Sequence, residues 1–388
     1  MLKNKFNNLA LKIDSKFHFE LDNPVVIISL GHLFLFVLAI PYYGEFGLNS
    51  LFKMFLFVFG NIFVFSIPFL FNNLKIGKLE KLDLKLISWI LVILTTFYGI
   101  FLLSNSIIFT IIILGIVVII LEIFIKYYNS KDIGKITLSI GVFSFIILVL
   151  TTGKIPILDY GVRMSISNDP LRLISSGALI FASFFNFWYF LISFVLITLT
   201  GYKANVIGLV SAYLLYKYRL KKIGAVKIFF IGLVSLLFLG LMSKIILASS
   251  GQIWTLNFIE ILSYRAYFDL MTLNKILSVP QVFFGKIVFM PGGESQIGNI
   301  IYGYTHNITS TMFGPLYLEM GYFGLIFTLI FGIISKLIYK KSDTKIYAIY
   351  GAVLLSMCEI GINYGFLVVM LMFLYVSESL SKKSEISA

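Results

Sequence analysis

Five residues carry chemistry that packing alone does not explain: Arg163, Arg172, Lys203, Arg265 and His306. Each lies in a polar stretch between long apolar runs. Arg163 closes the segment Gly153-Lys154-Ile155-Pro156-Ile157-Leu158-Asp159-Tyr160-Gly161-Val162-Arg163, and Arg172 stands nine residues further on, at an expected helix start. Lys203 ends the break Thr200-Gly201-Tyr202-Lys203, and Arg265 sits on an amphipathic stretch. A cation at a bilayer edge is costly unless paired, so such residues are functional candidates by default. Several converging on one outer cavity would clamp a phosphate or pyrophosphate, because guanidinium matches phosphate oxygens bidentately. The plainer alternative for each is snorkelling to lipid head groups, or pairing with Asp159, Asp169 or Asp269. Lys154, Lys275 and Lys286 fit that alternative better. His306, in Tyr302-Gly303-Tyr304-Thr305-His306-Asn307, offers an imidazole suited to proton transfer at neutral pH. By position alone it is a surface loop histidine. His18 lies in the N-terminal tail, and His32 lies in the first expected helix as a packing or hydrogen-bonding group.

Other chemistries lack their residues. The chain has no Walker-type phosphate loop, no Gly-x-Gly-x-x-Gly fingerprint, no histidine pair at zinc spacing and no Gly-x-Ser-x-Gly elbow. It has no Asp-x-Asp, which argues against a metal-held nucleotide sugar. Direct use of ATP or a nucleotide sugar is disfavoured, a donor already in the membrane fits, and no metal or cofactor is expected. The single cysteine, Cys358, sits in an apolar run, so no disulfide or cysteine metal site is available within one chain.

The elements that must position these residues are membrane helices. The chain is 59% hydrophobic and 13% charged, where an ordinary soluble domain carries about 25% charged residues. Runs such as 107–125 and 229–241 exceed what a soluble core needs. The expected fold is an all-α polytopic membrane protein, a single integral domain over residues 1–388. Helices are expected near 24–42, 51–71, 84–103, 106–126, 136–152, 171–185, 187–200, 204–218, 225–247, 318–338, 345–361 and 362–378, about 12 in all. Residues 171–218 offer 48 positions for three of them, where a full span takes about 20 each. Those helices are short or broken, or one crosses and another is re-entrant.

A net charge of +13 suggests nucleic acid at first sight, but the distribution follows the positive-inside bias. With the N-terminus inside, the inner segments hold 22 of the 31 lysines and arginines. Both termini then lie in the cytoplasm, and residues 249–320 form one large external loop. Residues 1–20 read as a basic amphipathic cytoplasmic tail and not as a signal peptide. Within the loop, 253–277 has helical spacing, with Glu260, Arg265 and Asp269 along one polar stripe. Pro280 ends it, and Met290-Pro291-Gly292-Gly293 is a turn.

Three stretches, in order, resemble a known family. Gly153-Lys154-Ile155-Pro156-Ile157-Leu158 followed by Arg163 is similar to a "G-x-P-L-L … R" external segment. Leu199-Thr200-Gly201-Tyr202-Lys203-Ala204 resembles an "L-T-G-S-R-G/T" break. His306-Asn307, with Phe313-Gly314-Pro315-Leu316-Tyr317-Leu318-Glu319-Met320-Gly321-Tyr322-Phe323-Gly324, resembles an "H-N/G … Y-x-E-x-G-x-x-G" return to the membrane. These are motifs of the Wzy-type oligosaccharide repeat-unit (O-antigen) polymerase family, related to O-antigen ligases, and the resemblance covers roughly residues 130–340. It implies the membrane glycosyltransferase fold called GT-C. The implied reaction transfers a growing glycan from polyprenyl pyrophosphate to the non-reducing-end hydroxyl of another lipid-linked repeat unit, at the outer face of the cytoplasmic membrane. Arg163 and Lys203 would bind the pyrophosphate, with Arg172 and Arg265 joining by position, and His306 would be the base or acceptor-orienting group. Lys203 departs from the family's usual Arg, and the spaced Arg-then-Gly motif of some members is absent. Lipid-linked oligosaccharides and membrane lipid are the implied partners, with a flippase and a chain-length regulator, and no nucleic acid. Two alternatives remain open. One is a ligase-like glycan transferase. The other is a transporter of lipid-linked glycans, which predicts mid-membrane charges and symmetric halves; here Glu122 and Glu359 lie near helix ends and no symmetry is evident.

Overall fold

A computed structural model of the chain describes residues 20–71, 83–251 and 255–387, the last five as backbone alone. The basic tail with Lys3, Lys5, Lys12, Lys16 and His18, and the cluster of Lys75, Lys78 and Lys81, lie outside the described residues. The apolar runs form helices. Helix α1 (Pro24–Ala39) continues into a 3-10 turn (Ile40–Glu45) and is followed by α2 (Leu48–Leu70), α3 (Leu84–Ser104), α4 (Ile107–Tyr127) and α5 (Ile133–Thr152). Short helices come next: α6 (Tyr160–Ser165), α7 (Pro170–Ala182), α8 (Phe187–Leu199) and α9 (Lys203–Arg219). After the long α10 (Ala225–Ser249) come α11 (Phe258–Ile276), α12 (Gly293–Tyr302) and α13 (Gly314–Met320). The chain ends with α14 (Gly324–Lys341), α15 (Thr344–Ile360) and α16 (Tyr364–Ser387).

Short polar side chains fix several helix starts. Asp83, Ser106, Asp169, Asn186 and Asp343 each accept a backbone N–H in the first turn of α3, α4, α7, α8 and α15, giving a partner to a donor the helix leaves unsatisfied. Asn257 caps α11 in the same way, accepting from Ile259 and Glu260 N–H at 3.0 and 2.9 Å. The Glu260 carboxylate accepts the Asn257 N–H in return at 2.8 Å. Glu260 therefore closes a capping box, and it does not extend the polar stripe expected for it.

Among the described residues, eight helical stretches are long and apolar enough to cross a bilayer. In α4 only Thr110 and Ile125 are buried, while Ile108, Ile111, Ile112, Ile119 and Ile120 are more than half exposed. A surface of this kind is at home against lipid. The protein is a multi-pass membrane protein.

The crowded region forms three separate helices of 13, 13 and 17 residues. They rise about 20, 20 and 26 Å, against a hydrocarbon core of about 30 Å. The helix expected from 318 begins earlier, at Gly314, and is split by a 3-10 turn (Gly321–Phe323). Gly321 adopts φ +59°, a left-handed conformation that ends α13 and that a side chain would oppose.

Contacts divide the described residues into two compact units, the first falling within Met1–Asn23, Asn129–Leu262 and Tyr347–Ser356, the second within Pro24–Tyr128, Ser263–Ile346 and Met357–Ala388. The first unit has a core of Leu179, Ile197, Leu209, Leu239, Met242 and Ile246. Buried hydroxyls lock its helices together: Ser175 of α7 donates to Gly141 O and Ser193 of α8 to Leu179 O, both at 2.9 Å. Small residues that let helices approach and bond in this way are the usual means of packing inside a bilayer. In the second unit, α2 packs on α14 through Thr328 and Asn61 at 2.9 Å. Lys336 donates to Pro68 O at 2.6 Å and Phe71 O at 3.1 Å, a cation on carbonyls at a helix C-terminus. Tyr375 of α16 donates to Glu122 of α4 at 2.5 Å.

Candidate functional site

The first unit gathers Arg163, Arg172 and Lys203 around the break between α8 and α9. Asp159 starts the six-residue α6 by accepting Val162 N–H at 3.0 Å, which places Arg163 in its last turn. Arg163 Nε donates to Gly201 O at 3.0 Å, and the Tyr202 hydroxyl donates back to Arg163 O. Arg172, buried in the first turn of α7, donates from Nε to Ile166 O at 3.0 Å and from Nη2 to Ser167 O. Both guanidinium groups face one ring: Arg172 lies 4.0 Å and Arg163 5.3 Å from the Tyr202 centroid. Lys203, the first residue of α9, donates to Ser243 of α10 at 3.2 Å.

Among the described residues, neither Arg163 nor Arg172 makes an ion pair. Carbonyl oxygens and a π face hold the two like charges, with the Asp169 carboxylate acting on Arg172 from beyond ion-pair distance. Lys203 adds a cation at a helix N-terminus, the end where the helix dipole favours anions. Lys154, by contrast, is paired with Asp159 at 2.5 Å, in line with the plainer alternative.

The second unit holds Arg265 and His306. Arg265 lies on α11 between two carboxylates: Nε donates to Glu359 at the end of α15 at 3.1 Å, and Nη2 lies 3.9 Å from Asp269 one turn on. Thr309 links the set, accepting from Arg265 Nη2 and donating to the fully buried Asp269, each at 2.5 Å. Burial alone would lower the pKa of Arg265, but Asp269 and Glu359 outweigh it and raise it. Arg265 is thus a charge already ion-paired, unlike Arg163 and Arg172.

His306 is exposed in the loop that follows α12. Its Nδ1 lies 3.0 Å from Thr305 O, and its ring meets Tyr304 edge-on at 5.8 Å. Gly298 makes room for this loop. A Cβ there would come 2.4 Å from His306 O and 2.8 Å from Tyr304 O, so only glycine lets α12 support the His306 backbone so closely. The next segment is anchored by Glu319 of α13, fully buried, which accepts N–H groups from Gly285, from Ile287 at 2.8 Å and from Val288 at 2.6 Å.

Sequence reasoning did not assign Tyr202, Gly298, Thr309, Glu319 or Glu359 a part in the site. Tyr202 and Glu319 stood inside the quoted motifs, and Thr309 stands three residues after His306, so their position beside the named cations and histidine was the available signal. For Gly298 no sequence signal separates it from other helix glycines.

Helices too apolar for water, carrying one cluster of cations and one network of carboxylates beside a histidine loop, define a class: multi-pass membrane proteins with polar machinery set between their helices. A family model described as "Putative O-antigen polymerase" matches residues 20–375. The chain belongs to this O-antigen polymerase family, and membership carries a polymerase-type glycosyltransferase role. The match takes in the outer helices, beyond the 130–340 that the motifs covered. The chain is also similar to an "Uncharacterized protein" of Methanocaldococcus jannaschii, 44% identical over 366 residues, which is 93% of each chain. No solved structure matches it.

Proposed function

We propose that the protein joins lipid-linked glycans at the outer face of the cytoplasmic membrane. A glycan on polyprenyl pyrophosphate is transferred to the non-reducing-end hydroxyl of a second lipid-linked repeat unit. The anomeric carbon's bond to the phosphate oxygen breaks, the acceptor oxygen takes its place, and polyprenyl pyrophosphate leaves with the electron pair. The observation that supports this best is the Arg163–Arg172 pair around Tyr202, two cations without a carboxylate in ion-pair range among the described residues. Pyrophosphate leaves readily once its charge is offset, and preorganised cations do this without a metal ion. Lys203 supplies a third positive charge.

His306 takes the proton of the acceptor hydroxyl, a role worth roughly 10²–10⁴-fold in rate. Arg265 enters through Thr309 and Glu359, holding the His306 loop in place. The charge bias of the sequence supports cytoplasmic termini and an external 249–320 segment. A flippase that supplies repeat units and a chain-length regulator are the partners this reaction calls for.

The test is glycan length on lipid carriers in cells lacking the native gene, complemented with wild type, Arg163→Ala or His306→Ala at matched membrane levels. A polymer ladder for wild type, and single repeat units for both variants, is the expected result. Accumulation of repeat units on the cytoplasmic face without the protein, relieved by wild type, would replace the polymerase reading with a transporter.

A further inference from the structure

In the second unit, tyrosines gather beside the Arg265 network. Tyr42, in the 3-10 turn after α1, stacks on Tyr267 of α11 with centroids 4.9 Å apart and meets Tyr264 edge-on at 5.9 Å. Tyr264 and Tyr267 stand three residues apart on α11, and Phe268, next on that face, stacks on Tyr302 at 5.7 Å. Tyr302 leads to Tyr304 at 5.8 Å, and Tyr304 to His306. The rings thus form two groups borne by α11, one around Tyr42, Tyr264 and Tyr267 and one running from Phe268 to the proposed base, which together make up the band. Tyr264 and Tyr304 are 36% and 46% exposed, so the band presents ring surface outward.

Tyrosines at a lipid interface are common, and a membrane belt alone would account for exposed rings. It does not account for the carboxylates set among these. Glu359, its side chain 39% exposed, lies one residue's step from Tyr264 through Arg265, and Glu45 ends the turn that carries Tyr42. Ring faces with carboxylates beside them match a pyranose. Its C–H face packs on an aromatic ring, and its hydroxyls donate to carboxylate oxygens. Asp269 and Glu359 flank a single guanidinium, so the network is net negative and repels an acidic sugar beside Glu359, while Lys275 places a cation 4.1 Å from the Tyr302 centroid further along.

We infer that Tyr42, Tyr264, Tyr304 and Glu359 form the subsite for the acceptor glycan, and that its terminal sugars are uncharged pyranoses. The inference rests on the polymerase reading and deepens it. The glycan lies along the band with its reactive hydroxyl toward His306, so the band acts in acceptor binding and not on the departing pyrophosphate.

The experiment uses the full-length protein in lipid nanodiscs with two readouts. Elongation is measured with lipid-linked repeat units extracted from cells lacking the gene. Binding is measured by saturation-transfer NMR with the free oligosaccharide released from those units. Tyr264→Ala and Tyr304→Ala are expected to raise the acceptor KM about three- to tenfold at little change in kcat. Tyr264→Phe, which keeps the ring, reverses most of the KM rise of Tyr264→Ala, and Phe63→Ala, at an exposed ring of α2, stays at wild type. If wild type elongates and both alanine variants keep its KM, the band is a membrane belt and the inference falls alone. If wild type does not elongate, but binds the oligosaccharide and loses it in Tyr264→Ala, the sugar subsite stands and the polymerase reading falls. Failure of wild type in both readouts overturns both.

Discussion

Tyr202 solves a residue-scale problem, that of holding two guanidinium groups close together without an ion pair to either among the described residues. Arg172 gives its fork to two carbonyls and its plane to the ring, uses that a lysine cannot reproduce. Arg172→Lys is therefore expected to slow elongation about tenfold, or about 1.4 kcal/mol, despite keeping the charge. A rate equal to wild type in a reconstituted assay would show that charge alone matters there. Asp159 allows a test by pH. The hydrogen bond from Lys154 and then the Val162 N–H hold its carboxyl below the ordinary 3.8. Since the folded value is the depressed one, its stabilisation is complete above 3.8 and is lost only as pH falls through the lower, folded value. A carboxyl ¹³C titration should place the midpoint below that of free aspartate, and Lys154→Met should bring it back up.

At the scale of elements, Glu319 joins the α13 helix to the loop at 285–288. Glu319→Ala leaves three N–H groups without their acceptor, and the two buried ones, of Ile287 and Val288, are expected to cost about 2–6 kcal/mol at roughly 1–3 kcal/mol each. Thermal unfolding of the purified protein reads this directly, and a variant as stable as wild type would remove Glu319 as an anchor. Gly298→Ala tests a different element contact. The added methyl pushes the backbone of His306, and a shift on the order of 1 Å costs on the order of 10²-fold in rate. Normal membrane levels with elongation lowered to that extent are expected; unchanged elongation would mean that the loop adapts freely.

These element contacts also mark where sequence reading stops. The apolar runs that became α3, α4, α8 and α10 were legible to within two residues, because length and apolarity decide a membrane helix locally. The Arg265–Asp269 pair was legible from its spacing of four. Glu359 was not, lying 94 residues from Arg265, nor were the donors to Glu319, 31 to 34 residues upstream of it. No local pattern encodes which distant backbone a carboxylate meets.

At the scale of the whole molecule, the proposed orientation is open to labelling, because Cys358 is the single cysteine. In a Cys358→Ser background, Lys286→Cys is expected to react with a membrane-impermeant maleimide in intact cells. Lys131→Cys should react only after the membrane is opened. The reverse pattern would invert the topology and move the histidine loop inside. The turn at Gly321 matters to how such a molecule meets its bilayer. Gly314–Lys341 is 28 residues long, and as one straight rod it would measure about 42 Å. Divided, it presents 18 residues of α14, about 27 Å, close to the thickness of the hydrocarbon. Mismatch with a thicker or thinner membrane can then be absorbed by tilt of α14, while the seven residues of α13 stay with the loop that Glu319 anchors.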